Sequence, residues 1–358
     1  MSVYLMRLTP QEPYFFGNEK TFHFPGSTVA DKQNRYFIMG EKIPTQTTLI
    51  GTLRYILLPV RKEFGAYNDD EKVKNGETVG SRSFQYGSEN KFGKIKGMSP
   101  VFLLKGNERL IPTPFDHTVI IDKKETTCYM PFEQYEPLGL NTKKEYPTAY
   151  NAKDGITSSF LNIDESKDGK KTGNIYQPWD IFKTDTRVGI NREAKSNGFF
   201  KKEYVALEKE YSFGVYVKLA DDLIPQDSVA YIAYMGQGKS LFTVSFERVE
   251  DDASEEFYKV VGSFLRDGIA YCLSDVFAET TIYDHVSFAI TDTRDYRAYT
   301  TNDGKVTKDP RLYKLIRAGS IFKTDTCEEF IKDVSNPNVG VIGYNKIVSN
   351  KAIKENNG

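Results

Sequence analysis

The sequence predicts an α+β fold made of two units in succession, residues 1–250 and 251–358. Three observations lead there. Residues alternate as in a half-buried strand at several places, most strictly at Tyr211, Phe213, Val215, Val217 and Leu219. Two amphipathic helices stand far apart, one at Pro44–Leu58 and one starting at Ser254. The order of strands and helix is loosely repeated, which suits two small α+β units better than one large sheet. At 358 residues the chain is also too long for one small core.

Composition narrows the class. The net charge is -1, from 48 basic and 49 acidic residues, so any nucleic-acid surface has to be local. Aromatics reach 13%, with 23 Tyr and 24 Phe against one Trp. These side chains suit a pleated, half-buried surface, and they also stack on bases. Cys128, Cys272 and Cys327 are odd in number and far apart, which argues against a disulfide framework. No apolar run reaches the ~20 residues of a membrane span. The start, MSVYLMRLTP, is too short and polar for a secretion signal. The expectation is a reduced, cytoplasmic protein without a membrane contact.

Taken in order, Ser2–Leu8 reads as a strand with both faces covered. PYFFGNEKTF, Pro13–Phe22, sets aromatics around a Gly-Asn turn. In the first helix Leu49, Ile50, Leu53, Ile56, Leu57 and Val60 form one apolar stripe, and Pro59 ends it. Residues 63–100 are polar and read as an excursion with little core of its own; insertions are expected over about 63–185. Val101–Leu104 and Arg109–Ile111 flank a turn at Lys105–Glu108, and Thr118–Ile121 is a further strand. Residues 139–178 read as turn-rich and mobile. Phe199–Leu207, Tyr211–Leu219 and Val229–Tyr234 are strands, and Leu241–Phe246 alternates after MGQGKS. Phe257, Val260, Val261, Phe264 and Leu265 make the second helical stripe, stopped by Gly268. Strands at Ile269–Val276, Val286–Ile290 and within Leu312–Phe322, a short helix near Cys327–Val334 and a segment Val339–Val348 close the chain.

Few residues point to catalysis. His23, His117 and His285 have no metal-ligand spacing, and no cofactor motif is present. Asp116–His117 is a weak acid–base pair. GQGKS lacks the spacing of a P-loop and precedes a strand. Its Gly236, Gln237, Gly238 and Lys239 nonetheless suit a phosphodiester cradle; a plain hairpin turn fits equally. RVGINREAKSNGFF supplies Arg187, Asn191, Arg192 and Lys195 on what reads as a flexible connector or solvated loop. At the first helix, Thr45 and Thr47 are cap candidates, Lys42 precedes the start and Arg54 leaves the polar side. Such a helix start suits a phosphate, although an ordinary core helix has the same pattern.

Seven blocks in order resemble one family. They are PYFFGNEKTF, PTQTTLIGTLR, FLLKGNERLIPTPFD, RVGINREAKSNGFFKKEYVAL, MGQGKSLFTVSF, IRAGSIFKTD and VGVIGYNKIV. They are similar to CRISPR-associated RAMP proteins, and within these to the Cmr subunits of type III-B that cap the 5′ end of the guide RNA. The segments between the blocks do not match. The resemblance implies two ferredoxin-like (RRM-like) domains with long insertions and no enzymatic activity. It implies a subunit of an antiviral ribonucleoprotein that holds the repeat-derived 5′ tag of the crRNA. The implied partners are the large palm-domain subunit, the backbone RAMP subunits and, through the crRNA, the target RNA.

On that reading Phe15 and Phe16 stack on bases, as do Tyr36 and Phe37. Thr45, Gln46 and Thr48 meet phosphates or base edges. Lys42, Arg54 and Lys239 neutralise phosphates, with Arg187, Asn191, Lys195, Gly236, Gln237 and Gly238 completing the interface. Gly17-Asn18-Glu19 stands where the family carries Arg-Asp-Gly, which puts the phosphate contact of that arginine in doubt. Two other classes stay open. One is a RAMP endoribonuclease that processes the crRNA precursor, for which His23 is the nearest histidine. The other is a purely structural assembly subunit.

Overall fold

The computed structural model of the chain describes residues 1–17, 19, 21–23, 35–59, 67–121, 127–140, 143–156, 158–164, 174–191, 198–220, 223–224, 230–236, 238–278, 280–302 and 305–350. Val60, Arg192, Lys195 and Gln237 lie outside these residues, as do the side chains of His23 and Asn191. The fold is mixed α+β, with several mostly antiparallel sheets and few helices.

In the first part of the chain the elements that form the main sheet, its covering helices and the sheet beside it are β1 (Ser2–Pro10), β2 (Thr21–His23), β3 (Arg35–Ile38), α1 (Gln46–Leu57), α2 (Asp69–Val79), β4 (Ile95–Met98), β5 (Phe102–Lys105) and β6 (Glu108–Pro112). They continue with β7 (Phe160–Asn162), β8 (Ile175–Tyr176), β9 (Phe182–Asn191), β10 (Gly198–Leu207), β11 (Tyr211–Leu219), β12 (Ala230–Met235), β13 (Ser240–Val249) and α3 (Ala253–Ser263). The main sheet has nine strands in the order β8-β7-β6-β5-β11-β1-β13-β12, with β4 also on β11. Met6 of β1 lies opposite Val215 of β11 and Phe246 of β13.

Period-two patterning explains why this sheet is covered on both faces. Tyr4, Met6 and Leu8 pack with Leu49, Leu53 and Ile56 of α1. Val3, Phe102 and Tyr216 point the other way and pack with Phe257 and Val261 of α3. Burying each large apolar side chain contributes roughly 1.5–3 kcal/mol, so these two stripes fix the register of the sheet.

The strands after α3 form a four-stranded sheet, Phe288–Ile290, Ile321–Lys323, Ile269–Cys272 and Ile347–Ser349, and a three-stranded sheet, Val276–Phe277, Tyr313–Ile316 and Thr293–Tyr296. Phe277, Ile342 and Tyr344 from this region share a core with α1.

Three expectations are corrected. Residues 63–100 hold α2, opened by a capping box between Asn68 and Glu71, and Phe84 and Phe92 are buried there. The segment 139–178 contributes β7 and β8 to the main sheet. Arg187–Asn191 and Gly198–Phe200 are not connector; they belong to two paired ten-residue strands, β9 and β10. That pair joins β3 and β2 in a separate sheet, with β10 parallel to β3.

Candidate nucleic-acid interface

The front of α1 is built as its sequence suggests. Thr45 is the N-cap, with extended backbone, and its hydroxyl accepts from the Thr48 amide at 3.2 Å. The same oxygen lies 3.0 Å from the hydroxyls of both Thr47 and Thr48. Part of the first-turn donor capacity is therefore satisfied within the chain.

Gln46 has a different task from the one expected. It is 4% exposed. Its Nε2 donates to the carbonyls of Ser99 at 2.9 Å and Ile342 at 2.6 Å, and its Oε1 accepts from the Val101 amide at 3.1 Å. A Cβ at residue 343 would sit 2.2 Å from that Nε2, and φ there is +89°, so Gly343 is required. Gln46 is a structural clasp.

Phe15 and Phe16 are also core residues, 0% and 4% exposed. Tyr14 tilts against Phe16 and donates from its hydroxyl to the Lys42 carbonyl at 2.6 Å. Neither phenylalanine offers a free face for a base, because the aromatic segment is used to lock β1 to the start of α1.

Lys42, Thr45 and Gln46 line a cleft of about 440 Å³ between α1 and the strands after α3. Across it stand two ion pairs, Arg294 with Asp275 at 2.6 Å and Arg317 with Asp292 at 2.8 Å. Burial pulls the Arg294 pKa down, but Asp275 and then Glu41 more than offset this and hold it above its ordinary value. With Glu41, the lining carries three cations and three carboxylates. Such a balanced cleft suits polar edges and rings more than a row of phosphates. Thr48 and Arg54 fall outside it and line a second, smaller cavity.

The glycine loop is a tight turn in which the Lys239 amide donates to the Gly236 carbonyl at 3.1 Å. Gly236 has φ +72°, and a Cβ there would lie 2.5 Å from the Phe15 carbonyl oxygen. Lys239 is exposed with φ +50°. At Gly238 a Cβ would lie 3.3 Å from that of Phe15 and 3.6 Å from the Tyr204 ring. The loop therefore rests on the aromatic segment and on β10.

This contact leads to a face of which the sequence points to Arg187 and Tyr36 but not to Lys202 or Tyr204. Alternate residues of β10, Phe200, Lys202 and Tyr204, lie beside Gly189, Arg187 and Asp185 of β9. The Arg187 guanidinium lies 4.3 Å from the Tyr204 ring centroid and donates to Asp185 at 2.9 Å. The Lys202 ammonium lies over both Phe15 and Phe200, at 5.3 and 5.2 Å. Tyr36 of β3 stacks on Phe200, with ring centroids 5.6 Å apart and planes at 12°. β9 is an edge strand with Arg187, Val188 and Ile190 exposed. The signal for this face was present as the F-x-K-x-Y alternation, within a segment otherwise read as a strand without a site.

Of the expected site residues, the structure thus brings Gly236, Gly238 and Lys239 to the same side as Arg187. It sets Lys42 and Thr45 in the cleft and turns Phe15, Phe16 and Gln46 inward. Asp116 and His117 are buried at 1% and 3% exposure, with Oδ1 and Nδ1 2.7 Å apart. Among the described residues, no group of three or more His, Cys, Asp and Glu side chains is arranged to hold a metal ion, and no helix is long and apolar enough to cross a membrane.

Comparison with known proteins places this geometry. Two solved chains share the fold over nearly their whole length. One comes from a cryo-EM structure of the type III-B Cmr-beta bound to cognate target RNA, with TM-score 0.52 and 16% identity over 98% of this chain and 97% of that one. The other comes from the type III-B Cmr-beta bound to cognate target RNA and AMPPnP, with TM-score 0.51, 17% identity and the same coverage. No curated protein matches the sequence. The family model described as CRISPR-associated protein (Cas_Cmr3) matches residues 6–271, and the chain belongs to that family.

Proposed function

We propose that this chain is a non-catalytic subunit of a type III-B CRISPR interference complex that holds the repeat-derived 5′ tag of the crRNA. Family membership supports the assignment to the complex. The observation that carries the RNA reading is the face of β9, β10 and β3, where Arg187, Lys202, Tyr204, Phe200 and Tyr36 combine cations with aromatic rings beside the glycine loop. Aromatic platforms with interleaved cations bind single strands by stacking and by phosphate neutralisation. A chain with a net charge of -1 has no broad attractive field, so the grip rests on placed contacts.

Lys42 and Thr45 receive a nucleotide in the cleft, and Lys239 meets the backbone at the loop. The fold is read as two ferredoxin-like units, 1–250 and 251–358, packed through the core that α1 shares with Phe277 and Tyr344. In the cytoplasm the subunit docks on the large palm-domain protein and seats the backbone RAMP subunits, meeting target RNA only through the crRNA.

The test is a titration of labelled 5′-tagged RNA with the chain and its large partner. Affinity that depends on the tag and falls with Lys202→Ala supports the reading. Affinity indifferent to both leaves an assembly subunit whose contacts are all protein. Metal-independent cutting of a repeat RNA, abolished by His23→Ala, would replace it with the endoribonuclease reading.

A further inference from the structure

The second cavity, about 230 Å³, lies along the exposed side of α1 and shares no lining residue with the larger cleft. Thr48, Gly51 and Arg54 line it from the helix, Ser83 from the loop after α2, and Arg297 and Tyr299 from the strand region beyond α3. Arg54 donates from Nη2 to the Gly80 carbonyl at 2.7 Å, and its guanidinium lies 5.6 Å from the Phe92 ring centroid. Its Nε is buried with no hydrogen-bond partner. Among the described residues no carboxylate forms an ion pair with it. Burial lowers its pKa, as for a cation without a counter-charge.

Across the cavity the Nε of Arg297 is also buried without a hydrogen bond. Glu19 lies 3.6 Å from it but 2.8 Å from the Lys308 ammonium, so one carboxylate serves two cations. Among the described residues the site therefore has more positive than negative charge at close range. Tyr299 beside it is 54% exposed. A Cβ on Gly51 would meet nothing within 4 Å, so the floor is open.

We infer that this cavity is a nucleotide phosphate site, in which Arg54 and Arg297 grip the phosphate from two sides, Thr48 or Ser83 adds a hydroxyl, and the base lies on Tyr299. A phosphate has enough oxygens to meet two guanidiniums and a hydroxyl at once, whereas a carboxylate has two. An aromatic ring at the mouth adds a contact that suits a base. The site rests on the RNA reading only for the source of the nucleotide, a phosphate of the bound strand.

The test uses calorimetry on the full chain with cytidine 5′-monophosphate, cytidine, inorganic phosphate and an oligoglutamate peptide. The nucleotide is expected to bind at least roughly tenfold more tightly than cytidine, because only the nucleotide makes the charge-assisted contacts to the two guanidiniums. Gly51→Glu places a carboxylate one turn before Arg54. It is expected to raise the melting temperature and weaken the nucleotide at least tenfold. Tyr299→Ala weakens the nucleotide and leaves inorganic phosphate unchanged. Should Gly51→Glu not fold, Arg297→Ala carries the same test.

Absence of nucleotide binding, indifference to Gly51→Glu, or capture of oligoglutamate in place of the nucleotide overturns the inference. Loss of the Lys202→Ala effect on tagged RNA tells against the sheet-face reading alone, so the two failures are distinguishable.

Discussion

Gln46 Nε2 donates to the Ile342 carbonyl at 2.6 Å, joining the front of the first helix to chain almost three hundred residues later. The same side chain holds Ser99 and Val101. Gln46→Ala leaves several buried backbone groups without partners, each costing about 1–3 kcal/mol. The expected outcome in denaturant unfolding is a loss of about 2–4 kcal/mol. Gln46→Glu should also destabilise, because its carboxylate cannot donate to the two carbonyls. A loss below about 0.5 kcal/mol would show that the clasp is dispensable.

How far the sequence revealed this site follows from which signals were local. The Thr45 cap, the stripe from Leu49 to Leu57 and the hairpin at Gly106 are read from neighbouring residues, and the structure contains all three. The clasp is not local: nothing near Gln46 announces Ile342 or Gly343. The helix Asp69–Val79 escaped because DDEKVKNGETV has no sustained apolar stripe, although Asn68 and Glu71 already carried a capping box. In the β9–β10 ribbon only β9 escaped, for a related reason, since Phe199–Leu207 reads as a strand from the sequence and is one. The outer strand, β9, is exposed nearly throughout, so it lacks the alternation that marks a half-buried strand. Phe15 and Phe16 illustrate the opposite error, since aromatics that suit stacking on a base suit a core as well.

Two glycines should respond to alanine with opposite signs. Gly51 sits mid-helix with free space before it, so Gly51→Ala is expected to stabilise by about 0.5–1 kcal/mol. Gly236 has φ +72° and lies against the Phe15 carbonyl, so Gly236→Ala should destabilise by about 1–3 kcal/mol. Thermal melts of the two variants read both signs. Equal shifts would contradict the seating of the glycine loop.

Alkaline pH should unfold the chain cooperatively. Burial pushes the Tyr135 phenol up to about 12, with Asp116 adding to the shift. Burial likewise raises Tyr14, Tyr271 and Tyr344. A group whose pKa is higher in the folded state contributes stability that is complete below its unfolded value, near 10. As pH rises from there the unfolded chain ionises first, so stability falls, for Tyr135 until about 12. Tyrosinate absorbance followed with circular dichroism should show the buried phenols ionising together with loss of structure. Independent ionisation of every tyrosine near 10 with the fold intact would contradict their burial.

Removal of Arg187 should weaken RNA binding less than removal of Tyr204. Arg187 is exposed and already paired with Asp185, so its net contribution is screened. Tyr204 sits between Arg187 and the glycine loop and offers a ring. The expected losses are about 0.5–1 kcal/mol for Arg187→Ala and about 1–3 kcal/mol for Tyr204→Ala. Equilibrium binding at two salt concentrations separates them, because only the arginine change should flatten the salt dependence.

The most direct test of the RNA face is the affinity of the full chain with its large partner for 5′-tagged RNA, before and after Lys202→Ala combined with Tyr204→Ala. At least a roughly hundredfold loss is expected, the sum of one stacking and one phosphate contact, with the melting temperature little changed. Unchanged affinity in a folded double variant would contradict the RNA face.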